Sequence, residues 1–166
     1  MNNTKQITII YAALAMSLTL MTGCDAVNIP ELRPGTSTAS EVRARMGLPT
    51  AEHHNEDGSV TYEYNRQPAG VECFMITIGQ DQIVQSIEQV LNEANLARVK
   101  PGMSRQEVRR LLCKAASVSR YENSQEEVWD WRIKGSMPTE ETHFHVHFDP
   151  ASGKVKSTSR RVEPKA

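Results

Sequence analysis

From Ile7 to Met21 the chain is mostly Ile, Leu, Ala and Met, and no comparable apolar run follows it. Beyond Cys24 the pattern becomes short and periodic. Val42 and Met46, and later Val108, Leu111 and Leu112, fall at the i, i+3 or i+4 spacing of one helix face. Other apolar residues alternate with their neighbours, as half-buried strands do: Tyr62 and Tyr64; Phe74, Ile76 and Ile78; Trp129 and Trp131; Phe144, Val146 and Phe148. Further strands are expected near Ala51 to His54, Ile83 to Leu91, Val118 to Tyr121 and Lys154 to Val162. The turn signals Asp57-Gly58, Asp149-Pro150 and Ser152-Gly153 lie between them.

The pattern occurs twice. Leu32-Arg33-Pro34-Gly35 leads into Thr38-x-x-Glu41-Val42-Arg43, and Val99-Lys100-Pro101-Gly102 leads into Ser104-x-x-Glu107-Val108-Arg109. Both are capping boxes, in which the hydroxyl caps one backbone N–H and the Glu reaches back to another. Tyr62-Glu63-Tyr64 matches Trp129-Asp130-Trp131 further on, and the strand from Cys73 to Ile78 matches that from His143 to Phe148. The predicted fold class is therefore α+β. Two tandem units each carry a short helix, a capped helix and an antiparallel meander of three or four strands, with helices on one face of the sheet. The expected boundaries are 1–23, 24–91 and 92–166, with Asn92 to Arg98 as a short joining helix. A unit of roughly 65 residues buries too little surface to be secure alone, so the two should pack together.

The apolar run reads as a secretory signal. It is shorter than the roughly 20 apolar residues of a comfortable membrane span, and Lys5 is the only charge before Asp25. Met21-Thr22-Gly23-Cys24 resembles a bacterial lipobox, which implies acylation of Cys24 and a lipid anchor. Several acyl chains at about 0.8 kcal/mol per buried CH₂ would hold the chain on a membrane. Asp25 resembles an inner-membrane retention signal, so the choice between inner and outer membrane stays open.

Composition narrows the partners. The 166-residue chain has a formal net charge of −1, without the clustered basic surface that a nucleic-acid binder needs. No nucleotide loop, nucleophile elbow or metalloprotease motif is present, and nothing nominates a catalytic acid, base or nucleophile. The expectation is a non-enzyme without cofactors.

Pro101-Gly102-Met103-Ser104, Trp129-Asp130-Trp131 and Phe148-Asp149 to Gly153-Lys154-Val155 resemble the BamE family, also called the SmpA/OmlA domain; Met46-Gly47-Leu48-Pro49 supplies the family's Leu-Gly-x-Pro-like element in the first unit. The resemblance implies a lipoprotein facing the periplasm that supports outer-membrane assembly or envelope integrity through protein contacts, barrel-assembly components included. It also favours the outer membrane. The two-copy arrangement is similar to that of the beta-lactamase inhibitor protein, which implies the alternative of an inhibitor or regulator of a periplasmic enzyme.

Alternation assigns Glu63, Asn65, Cys73, Met75 and Thr77 to an open face of the first sheet, and Asp130, Arg132, His143, His145 and His147 to that of the second. Combined, these faces would form one broad docking surface, with Met75, Arg132, His145, Asp130 and Glu63 as the partner-binding candidates. His143, His145 and His147 share a face at about 7 Å spacing and could chelate zinc or copper, the chemistry of a periplasmic metal-binding protein. The plainer reading is a solvated sheet face, since the first unit has Cys73, Met75 and Thr77 there. Tyr62, Tyr64, Trp129 and Trp131 are expected as core under the helices. Export permits a Cys73–Cys113 disulfide. Against it, the repeat puts Cys73 on the open face and Cys113 at a helix end on the other side, while a bond needs Cα atoms within about 7 Å.

Overall fold

The computed structural model describes residues 28–165. The expected signal segment 1–23, the lipidation candidate Cys24 and Asp25 lie outside the described residues. A short described segment up to Glu31 carries a 3₁₀ turn at Ile29–Glu31, and the rest of the described chain, from Leu32 on, forms a compact body. Among the described residues no helix is long and apolar enough to cross a membrane.

The body is α+β with two four-stranded antiparallel meanders. The first repeat runs α1 (Ala39–Met46), β1 (Ala51–His54), β2 (Val60–Asn65), β3 (Cys73–Ile78) and β4 (Val84–Gln89). A short α2 (Glu93–Leu96), capped by the Asn92 side chain accepting from the Asn95 N–H at 2.9 Å, leads into the second repeat. There follow α3 (Arg105–Leu112), β5 (Ser117–Tyr121), β6 (Glu126–Ile133), β7 (Glu140–Phe148) and β8 (Val155–Pro164).

The repeats match in backbone detail. Both capping boxes form, with the Thr38 N–H donating to Glu41 and the Ser104 N–H to Glu107, each at 2.7 Å. The glycine of each Pro-Gly turn donates to the first residue of the last strand, Gly35 to Val84 at 2.7 Å and Gly102 to Val155 at 2.9 Å. The third strand of each sheet shifts register at its end, between Thr77 and Ile78 and between His147 and Phe148. Even the helix ends agree: Gly47 has φ 78° and Cys113 φ 66°. A left-handed backbone is cheap for glycine and costs a side-chain-bearing residue roughly 1 kcal/mol.

Alternation places the core as expected. Tyr62, Tyr64, Ile76, Ile78 and Val84 are buried with Val42 of α1, and Trp131, Phe144, Val146, Phe148 and Val155 with Val108 and Leu112 of α3. The Tyr64 hydroxyl donates to the Gly47 carbonyl at 3.0 Å, tying β2 to the end of α1, and burial raises its pKa to about 12.

The expectation of one continuous open face does not hold. Cys73 and Met75 belong to the same buried cluster as Val108, Leu112 and Trp131, with Leu111 packed against it. The second repeat's helix α3 thus lies on the outer face of the first sheet while its other side covers the second sheet. The layers run α1, first sheet, α3, second sheet. Met75 is 7% exposed and Glu63 1% exposed, so neither can serve an open docking surface. Glu63 instead accepts from the Lys114 N–H at 3.2 Å and pairs with His53 at 3.0 Å.

The same stacking overturns the argument against a disulfide. Within one repeat the two positions lie on opposite sides of a sheet, but across repeats α3 brings its C-terminal end down on β3. Cys73 and Cys113 are bonded, with Cα atoms 6.6 Å apart. Neighbouring contacts join the repeats further: Asn65 donates to the Lys114 carbonyl at 2.7 Å, and Gln67 to the Arg132 carbonyl at 2.6 Å.

Candidate functional site

The second sheet keeps its outer face uncovered by any described helix, and the histidine strand runs through it. On β7, His143, His145 and His147 point the same way, with successive ring centroids 6.2 and 6.4 Å apart. Register sets Asp130 opposite His145 and Arg132 opposite His143. The cleft over this face is lined by Ser119 and Tyr121 of β5, Glu126 and Asp130 of β6, His145 and Arg161, among others.

Each imidazole is held by specific partners. His143 Nδ1 lies 2.8 Å from Asp130 Oδ1, and its Nε2 lies 3.1 Å from Glu141 Oε1. Glu141 is in turn paired with Arg132 at 3.0 Å. His145 Nε2 faces the same Asp130 oxygen at 3.8 Å, with its Nδ1 3.5 Å from the Ser159 hydroxyl. His147 bonds elsewhere, to Glu126 at 3.2 Å and Ser159 at 2.9 Å. Burial lowers the His145 pKa; the Asp130 charge opposes this, and Arg161 and the neighbouring histidines add to it. Glu126 is held below the usual carboxylate range by its hydrogen bonds to Lys156 and His147.

The expected site residues therefore separate. Asp130, Arg132, His143, His145 and His147 share one face. Arg132 is partly committed to the first repeat, donating from Nη1 to the Pro68 carbonyl at 2.8 Å. Met75 and Glu63 are buried behind α3. Sequence reading did not include Tyr121 and Arg161 among the docking candidates, although period-2 alternation along β5 and β8 puts them on this face. Tyr121 is 54% exposed.

Repeat equivalence gives the face its meaning. Glu63, Cys73 and Met75 of the first repeat correspond to Asp130, His143 and His145 of the second. In the first repeat these positions meet α3 and carry the disulfide to it. In the second they lie on a face that no described helix covers.

No protein-family model matches the chain. No curated protein matches it either. Two solved structures resemble it in outline. One is a candidate beta-lactamase inhibitor protein from Streptococcus mutans, 13% identical, covering 75% of this chain and 82% of its own, with a TM-score of 0.35. The other is a DUF4309 family protein from Bacillus subtilis, 13% identical, covering 81% and 83%, with a TM-score of 0.27.

Proposed function

We propose that this chain is a membrane-tethered, periplasm-facing binding module that holds a folded protein on the open face of its second sheet and acts by occupancy, without catalysis. One observation carries the reading: the equivalent face of the first sheet is already occupied by a helix, α3. The same backbone geometry on the second sheet therefore suits a helix or loop from another protein. The chemistry has changed from Cys73, Met75 and Thr77 to His143, His145 and His147, so that occupant is polar. Tyr121, His145 and Arg161 are the anchors, since aromatic and arginine side chains dominate protein interfaces.

The tether belongs to the same reading and rests on Met21-Thr22-Gly23-Cys24. The Cys73–Cys113 bond supports export, because such bonds persist in oxidising compartments. Replacing Cys24 by Ala should leave an N-terminus without acyl mass and a chain that no longer fractionates with membranes. Intact-mass measurement of the wild type and the variant checks this.

The partner is an envelope protein: a soluble periplasmic enzyme under control, or a component of outer-membrane assembly. Affinity capture from envelope extracts, using the full chain, identifies which. The deciding comparison is Tyr121→Ala with Arg161→Ala. Loss of the captured protein with unchanged folding supports docking on the second sheet. Undiminished capture by that double variant, with loss on altering exposed residues of α1, sinks it.

A further inference from the structure

The Asp130, His143 and His145 cluster offers more than a polar docking face. One donor atom from each of the three residues lies within 4.8 Å of the others. Two imidazoles and a carboxylate are a donor set that zinc accepts, with bonds of about 2.0–2.2 Å and hence donor separations of about 3.4 Å. The 2.8 Å between His143 Nδ1 and Asp130 needs to open slightly, and the 3.8 Å between His145 Nε2 and Asp130 needs to close slightly.

The two histidines also have outer partners of the kind that orient metal-binding imidazoles. A ligating imidazole typically gives its second nitrogen to a carboxylate or another acceptor, which fixes tautomer and ring angle. His143 turns Nδ1 toward Asp130 and Nε2 toward Glu141, which Arg132 holds at 3.0 Å. His145 turns Nε2 inward and leaves Nδ1 near Ser159. His147 stands outside the group: its nitrogens lie on Glu126 and Ser159, and the three donors within 4.8 Å of one another are those of Asp130, His143 and His145. The β6–β7 pairing sets Asp130 directly opposite His145 and diagonal to His143.

We propose that Asp130, His143 and His145 form a binding site for a divalent late first-row transition metal, with Zn²⁺ as the ion it takes. Asp130 and His145 line the cleft and His143 is buried, and three protein donors leave one position of a tetrahedral ion for water or an outside ligand, the arrangement of an open site and not of a closed structural one. The site occupies the place equivalent to that of Glu63 and Cys73, where the first repeat is bonded to α3. The proposal is independent of protein docking, because the chain alone supplies every donor.

The test titrates the untagged, metal-stripped full chain with Zn²⁺ by calorimetry, and with Co²⁺ by visible absorption as a probe of coordination. One Zn²⁺ per chain with a Kd of about 10 μM or tighter is expected, together with a Co²⁺ ligand-field band of a four- or five-coordinate site. His145→Gln and the near-isosteric Asp130→Asn should each weaken binding at least about tenfold, and Glu141→Gln about 10- to 100-fold, the usual range for outer partners. His147→Gln should change it less than about twofold, having no direct donor role. Circular dichroism of each variant reports whether it folds. Absence of stoichiometric Zn²⁺ binding by the wild type overturns the assignment, as does a loss on His147→Gln equal to that on His145→Gln.

Discussion

Glu127 is only 3% exposed, yet it remains a carboxylate because three donors surround it. Arg105 Nε lies at 2.7 Å, Trp129 Nε1 at 2.8 Å and Arg120 Nε at 3.0 Å. Burial alone would raise its pKa; the hydrogen bonds and the Arg105 charge outweigh that and hold it below the ordinary 4.5. A depressed carboxylate pKa stabilises the fold above the unfolded-state value, and that contribution is lost as pH falls through the folded value. Glu127→Gln should therefore cost on the order of 1–3 kcal/mol at neutral pH. It should also flatten the acid limb of stability against pH below about 4.5. Urea denaturation across pH 3 to 7, on the order of the usual acid range, checks both. At the same scale, Ser104→Ala removes the N-cap of α3 and should cost about 1 kcal/mol, as should Thr38→Ala for α1. The two boxes share geometry to the same 2.7 Å contact, so a large difference between these costs would count against their equivalence.

Helix α3 carries two interfaces on eight residues. Val108 and Leu112 are fully buried over the second sheet, and Leu111 is partly buried against the cluster that includes Met75. Leu112→Ala should cost about 2–5 kcal/mol, because it empties a site enclosed on all sides. Leu111→Ala should cost less, since its surroundings include the open cleft between the helix and the first sheet. Chemical denaturation of the two variants gives the comparison, and a greater loss at Leu111 would mean that the contact between repeats outweighs the contact within the repeat. The strands were legible at this scale. Tyr64 and Trp131, Ile76 and Val146 alternate with polar neighbours, and local sterics plus one buried face suffice to set that period. The bounds of β8 were less legible: the strand extends to Pro164, and after Val155 it is exposed throughout, so no burial pattern marks its end.

For the whole molecule, the Cys73–Cys113 bond joins the repeats across a sequence separation of 40. Chain-entropy bookkeeping for a loop of that length gives about 4 kcal/mol of stabilisation. Cys73→Ser, Cys113→Ser and the double variant should each lose about 2–4 kcal/mol, and a reductant should destabilise the wild type alone. Equal sensitivity of the variants to reductant would show that the bond is not the element responsible. Cys113 also occupies the left-handed position that Gly47 fills in the first repeat, and the bond to Cys73 gives a reason for a side chain there.

The two repeats, their caps and the facing of the central strands were legible in the chain's own pattern, although Tyr121 and Arg161 on the flanking strands were not assigned to the open face. These follow from interactions a few residues apart, which a short window of sequence contains. Alternation also put Asp130, His143 and His145 on one face, while the register that brings them into one group came from the folded sheet. Which faces stay open followed only from the packing of one repeat on the other. Alternation tells that Met75 and His145 point away from their own helices, but not whether another layer lies beyond. Helix α3 is amphipathic by its main stripe, and only docking of the repeats reveals that its other side meets the first sheet. That docking buried Met75 and Glu63, joined Cys73 to Cys113 and left the histidine face uncovered among the described residues. Contacts between residues 40 or more apart carry no local signature, so this choice lay with the assembled fold.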